Sequence, residues 1–194
     1  MKTDRRVLRT RKQINRAVLA LLQTQSIDTI TVKAIAAKAD INRKTFYNHH
    51  ANVNDVVDAI QTDIVDALTL QMKRFDQESL LRDPSPLLRL SAQTLENNAA
   101  VNVFKEHPML LGAFMEKLKR AFVTTLTTMY ENPDDSLLAR SYFTTTFTVS
   151  GALDVYLSWL KDPKGVSLEQ LSDDIGKLIA EGVIRFSDEL QSDA

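Results

Sequence analysis

Apolar positions recur every three or four residues along nearly the whole chain, and nowhere alternate with polar ones over a strand's length. Ile14, Ala17, Val18, Leu21 and Leu22 form one such face and Arg5, Arg9, Lys12 and Arg16 another, which predicts a first helix over about 4–24. After a connector from Ser26 to Ile30, Thr31 suits the cap of a second helix, Val32 to Ala39, with Ile35 and Ala36 turned inward. Asp40 and Ile41 make a tight turn, and Asn42 caps a short third helix from Arg43 to His49 or His50. Asn52 caps a fourth, helped by Asp55 at its positive N-terminal end. Its inward stripe is Val56, Val57, Ile60, Ile64 and Leu68, and it runs to about Phe75.

The prolines punctuate the rest. Asp83 to Pro86 is a break, followed by predicted helices from Pro86 to Asn97, from Ala99 to Glu106, and from Pro108 to about Tyr130. Asn132 to Asp135 is the next breaker, then a long helix from Ser136 to Leu160 and a turn from Lys161 to Gly165. Ser167 with Gln170 is a capping box that opens a last helix to about Leu190. The prediction is an all-α fold of about nine helices, with no internal repeat and no Asn-Gly or Asp-Gly hairpin.

Composition adds an ordinary globular class and one asymmetry. The 194 residues are 44% hydrophobic and 25% charged. There is no cysteine, which excludes disulfides, thiolate zinc sites and cysteine nucleophiles and suits a reducing compartment. The beginning, Met1 to Arg6, is charged and no long apolar run follows it, so a cytoplasmic protein without a membrane span is expected. The net charge of −1 divides unevenly. Residues 1–60 carry 11 Lys and Arg against 5 Asp and Glu, whereas 61–194 carry 13 against 20. A basic module on an acidic body suits contact with a polyanion; the alternative is chance clustering on a solvated surface.

Catalysis is not expected. The only histidines are His49, His50 and His107, and neither a His-Glu-x-x-His nor a Gly-x-Ser-x-Gly pattern occurs. His49 and His50 are adjacent and point to different faces of a helix, so they are poorly placed to share a metal. No metal and no cofactor are predicted. All five glycines fall at or after Gly112, so the first hundred residues hold no phosphate-cradling loop.

Two short helices joined by a tight turn, in the basic part of the chain, is the arrangement of a DNA-reading helix-turn-helix. Ile35, Ala36 and Ala39 are small or apolar, as a close helix crossing requires, and Ile41 is placed to plug the turn into the core. The third helix offers Arg43, Lys44, Thr45, Tyr47, Asn48 and His49, with no acid among them. The run from Thr31 to His50, followed by Asp55, Val56 and Val57, resembles the N-terminal signature of the TetR/AcrR family of bacterial regulators. Its most specific part is Thr45, Phe46, Tyr47 and His49 after Ile41 and Asn42.

This resemblance covers about residues 8–60. It implies a three-helix helix-turn-helix DNA-binding domain over 1–52 and a helical dimerisation and effector-binding domain over 53–194. It implies phosphate contacts for Thr31 and Lys33, base edges near Arg43, Lys44 and Thr45, and a backbone clamp from Tyr47 and His49, with Asn42 and Asn48 beside them and Phe46 in the core. Arg43 is either a guanine reader or a phosphate contact only. Three residues depart from the pattern: Asp40 replaces the usual turn glycine, His50 a common aromatic, and Val53 a frequent lysine, for which Asn52 or Asn54 would partly substitute. Lys2, Arg5, Arg6 and Arg9 are either an arm reaching DNA or solvated charge.

The family likeness further implies a homodimer through the last two helices. Ser150, Gly151 and Ala152, with Gly176 and Gly182, allow close approach there, alongside Leu171, Ile175, Leu178, Ile179, Val183 and Phe186; packing within one chain is the alternative. A small-molecule effector is implied in the body. Candidates for its pocket are Phe104, His107, Met115, Phe122, Met129, Tyr142, Phe143, Thr146, Phe147 and Trp159, each of which also suits ordinary core packing. The stretch from Tyr156 and Trp159 to Leu171 resembles a subgroup containing the dihydroxyacetone-kinase operon activator, in which a protein can be the effector. The expected function is a ligand-responsive repressor on a palindromic operator. The alternative is a protein-controlled activator or an interaction protein of the same fold that has lost DNA binding.

Overall fold

The computed structural model describes residues 5–129 and 135–192, of which the side chains at 77, 81, 135–141 and 183–192 are not described. Among the described residues there are ten α-helices and no strand: α1 Arg5–Leu22, α2 Val32–Lys38, α3 Arg43–Tyr47, α4 Val53–Met72, α5 Gln77–Arg82, α6 Ser85–Glu96, α7 Ala99–Lys105, α8 Pro108–Thr127, α9 Asp135–Lys161 and α10 Leu168–Ser192. A single 3-10 turn, Ile27–Thr29, lies between α1 and α2. The helix beyond the predicted nine is α5. Asp76 caps it, accepting from Ser79 N and Ser79 Oγ at 2.8 Å each. Those bonds hold the Asp76 carboxyl below the usual carboxylate range.

The chain forms two compact units. The first comprises Met1–Ile64 and Asn98–Phe114, the second Val65–Asn97 and Met115–Ala194. In the first, Ile14, Val18 and Leu22 of α1 are buried with Ile35 of α2, Phe46 of α3, Val56 and Ile60 of α4, and Val101 and Phe104 of α7. Each such side chain contributes on the order of 1.5–3 kcal/mol by leaving water. Polar ties fix the helices around this core. Arg11 pairs with Asp63 at 2.8 Å, and buried Gln61 donates from Nε2 to Leu110 O at 3.1 Å. His107 donates from Nε2 to Leu22 O at 2.8 Å, satisfying a carbonyl that the end of α1 leaves open.

In the second unit α10 packs on α6 and α5. Arg89 of α6 pairs with Asp173 and, at 3.5 Å, with Glu169, both on α10. Gly176 allows that approach: a Cβ there would lie 3.0 Å from Ser85 Cα and overlap the Ser85 side chain. The predicted role of Gly176 in contact with another copy is therefore corrected, because its open side is filled from within the chain. Tyr156 of α9 is buried, with its hydroxyl 3.5 Å from Ala92 O, and burial pushes its pKa well above the usual tyrosine value. Trp159 stacks on Tyr156 and donates from Nε1 to Val166 O at 2.8 Å, closing the turn between α9 and α10.

Gly176→Ala is expected to cost about 1–3 kcal/mol, the usual penalty for forcing a methyl into a filled contact. Urea unfolding of the variant measures it, and a stability equal to wild type would show that α6 and α10 move apart freely.

Candidate nucleic-acid interface

The turn between α2 and α3 is built almost entirely from backbone bonds. Ile41 N donates to Ala36 O at 3.0 Å and Asp40 N to Ala37 O at 3.4 Å, the paired bonds of a Schellman ending. Such an ending needs a left-handed residue, and Asp40 supplies it with φ of 54°. Aspartate bears this better than most side chains, which is how the turn closes without the usual glycine. Ile41 is only partly buried, so it covers the core more than it plugs it.

Both helices start on side-chain caps. Thr31 Oγ1 accepts from Ala34 N at 3.2 Å. Asn42 Oδ1 accepts from Thr45 N at 2.7 Å and from the Thr45 hydroxyl at 3.0 Å. Asn42 and Thr45 thus face each other across the first turn of α3. Phe46 is fully buried, its ring meeting Tyr47 edge-on at 5.5 Å. With Phe46 inward, Arg43, Lys44, Tyr47 and Asn48 are exposed and His49 is half-buried; Tyr47 is 51% exposed although aromatic. Lys33 is exposed near the start of α2. The predicted DNA-binding residues therefore form an outward tip, with Thr31, Asn42 and Thr45 engaged in holding it.

A corner of polar bonds carries α3 into α4. Asn52 Oδ1 accepts from Asp55 N, and Asp55 Oδ2 accepts from Ala51 N, each at 2.9 Å. Asn52 thus caps α4, and Asp55 reaches back one residue beyond it, to Ala51, in a variant of the capping box. His50 is buried beneath it, with Nδ1 3.3 Å from Asp55 Oδ2 and its ring 6.1 Å from that of Phe46. Burial lowers the His50 pKa below the ordinary histidine value. Asp55 pulls it back up, while Arg11 and His49 push it further down. The sequence marks His50 as a departure from the pattern and as a poor metal partner for His49, but not as a partner of Asp55, for which the five-residue spacing is the available signal.

Residues predicted for an effector pocket scatter. Phe104 is buried against Phe114 in the first unit, their rings 6.0 Å apart, and Met115 and Phe122 are buried in the second. His107 and Trp159 have their ring nitrogens on backbone carbonyls, as described. Met129 is half-buried, and so is Thr146, whose Oγ1 is buried without a partner. Tyr142, Phe143 and Phe147 point outward, the last two 71% and 82% exposed. A groove of about 390 Å³ in the first unit is lined instead by Leu22, Gln23, Ala99, Asn102, Val103 and Glu106. Lys2 lies outside the described residues, as do the side chains of Val183 and Phe186. Among the described residues no three His, Asp or Glu side chains cluster to hold a metal, and no helix is long and apolar enough to cross a membrane.

A TetR transcriptional regulator from Streptococcus agalactiae 2603V superposes with a TM-score of 0.62, covering 91% of this chain and 96% of that one at 21% identity. The chain has the TetR-regulator fold. The dihydroxyacetone kinase operon activator DhaS is similar to the same degree, with a TM-score of 0.61, 20% identity, and 89% and 95% of the two chains covered. In sequence, the uncharacterized HTH-type transcriptional regulator YxbF of Bacillus subtilis strain 168 is 34% identical over 104 residues. That stretch is 51% of this chain and 27% of YxbF, so the chain spans about a quarter of the relative it matches. No family model matches the chain.

Asp40→Gly is expected to stabilise the protein by roughly 0.5–1 kcal/mol, since glycine takes a left-handed backbone without steric cost. Chemical denaturation reads the change, and a loss of stability would mean that Asp40 is not strained.

Proposed function

We propose that this chain is a sequence-specific DNA-binding transcriptional regulator, a ligand-responsive repressor that acts as a homodimer on a palindromic operator. The observation that carries the reading is the acid-free tip of α3, where Arg43, Lys44, Tyr47 and Asn48 are exposed on a helix anchored by buried Phe46. Exposed Arg and Lys supply phosphate affinity and a forked donor for guanine, and an aromatic hydroxyl suits the sugar-phosphate backbone. In this reading residues 1–52 read DNA and 53–194 dimerise and take the effector. Arg5 and Arg9, exposed on α1, add positive charge to the same unit.

One such tip reads only a few base pairs, so a second copy is needed. Phe143, Phe147, Gly151 and Val155 recur at four-residue intervals on α9 and are all exposed, while Leu178 on α10 is 72% exposed. An apolar stripe of this size supports pairing through the last two helices. Its outward aromatics fit a covered face better than an internal pocket. The effector is a small, largely apolar molecule bound in the body, and it acts by favouring a conformation of the dimer that no longer fits successive grooves. DhaS, similar in fold, is named an operon activator. That supports a second reading, in which the same tip serves activation under a protein effector.

On labelled duplex from the region flanking its own gene, Lys44→Ala is expected to weaken binding by about 1–3 kcal/mol and to lower the salt slope by about one. Tyr47→Phe should weaken binding less, and neither variant should change melting or dimerisation; unaltered affinity in both would remove the reading tip from DNA. Phe147→Asp is expected to turn a dimer into a folded monomer in sedimentation at micromolar protein, since an exposed charge costs an isolated chain little. A dimer that persists would place the interface elsewhere.

A further inference from the structure

The corner joining α3 to α4 contains a titratable ring that the proposed DNA contacts do not use. His50 is 6% exposed. Its Nδ1 lies 3.3 Å from Asp55 Oδ2, while its Nε2 is buried with no partner. The backbone N–H of the same residue donates to Phe46 O at 3.0 Å, next to the His49 N–H on the same carbonyl at 2.9 Å. One residue thus ties the end of α3, through its backbone, to the cap of α4, through its ring.

We propose that His50 is a positioning residue for the reading helix and that, by holding this corner only while its ring is neutral, it makes DNA binding acid-sensitive. The proposal rests on the DNA-binding reading above. With the ring neutral, Nδ1–H donates to Asp55, and Asp55 in turn holds Ala51 N at 2.9 Å. Nε2 is then a neutral acceptor without a donor, which costs less to bury than an unpartnered N–H on a charged ring. A proton on Nε2 would create a buried N–H without an acceptor and a second positive charge near Arg11.

The charges around the ring come from each element packed on it. α1 brings Arg11, which is half-exposed and paired with Asp63 of α4. α4 brings Asp55, and the turn itself brings His49. Asp55 favours the protonated ring, but its own carboxylate is half-exposed and shared with Ala51 N, so burial outweighs it. The folded ring therefore binds a proton less readily than the unfolded one. Stability contributed by neutral His50 is complete above the ordinary histidine value of 6.5 and is lost as pH falls from there through the lower folded value.

The test compares wild type with His50→Phe and His50→Gln, neither of which titrates. DNA affinity and thermal melting are measured between about pH 7.5 and about pH 5.5, with His50 followed by NMR through its ring carbon-bound protons. Wild type is expected to lose at least about threefold in affinity relative to both variants over that range, and to lose melting temperature relative to them. The His50 ring is expected to titrate below 6.5. Parallel pH profiles in all three proteins, or a ring that titrates at or above 6.5, would overturn the proposal. If one variant fails to fold, the other and the ring titration still decide it. Absence of DNA binding by all three at neutral pH would instead sink the functional reading, leaving melting and titration to judge the histidine alone.

Discussion

Burial of Phe46 is the contact on which the candidate site depends. α3 has five residues, too few to hold a helical shape in water on its own. Its ring, fully buried with Ile14, Val18, Ile35 and Val56 of the same unit, supplies what local bonding cannot. Truncating a phenylalanine in such a place costs on the order of 3–5 kcal/mol, several times the value of either cap on this helix. Once Phe46 is inward, the helical period turns Lys44 and Tyr47 outward, and Arg43 is exposed at the first turn. The polar bonds then settle details: Asn42 fixes where α3 begins, the Schellman turn fixes how it leaves α2, and His50 with Asp55 fixes how it passes into α4.

Much of this was legible in the sequence because the signals are local. The caps at Thr31, Asn42, Asn52 and Ser167 each make the bond their residue type and spacing suggest. The stripe Val56, Val57, Ile60, Ile64 and Leu68 is buried throughout, and the all-α class follows from such periodicity. α5 escaped because six residues give less than two turns, too few for a period to appear; only Asp76 and Ser79 announced it. The partners of Gly176 and His107 were illegible for a different reason. Ser85 is 91 positions from Gly176, and Leu22 is 85 from His107. No local pattern encodes which distant backbone atom will arrive opposite a given residue.

The aromatic residues show the same limit in another form. Composition marks Phe104, Phe122, Phe143 and Phe147 alike as large and apolar, yet the first two are buried and the last two exposed. α9 carries apolar residues around much of its circumference, so its pattern does not say which side meets its own chain. Only the packed structure separates an inner aromatic from one left for another surface.

Under the proposed function, the bond between Thr45 and Asn42 has a consequence for base choice. Because the threonine hydroxyl gives its hydrogen to Asn42 Oδ1, only its lone pairs remain to face outward. In a major groove such an oxygen can take a hydrogen from the exocyclic amine of adenine or cytosine, but has none to offer the carbonyl of guanine or thymine. If α3 reads DNA as proposed, a capping bond within the protein would set the polarity with which one side chain meets the edge of a base pair.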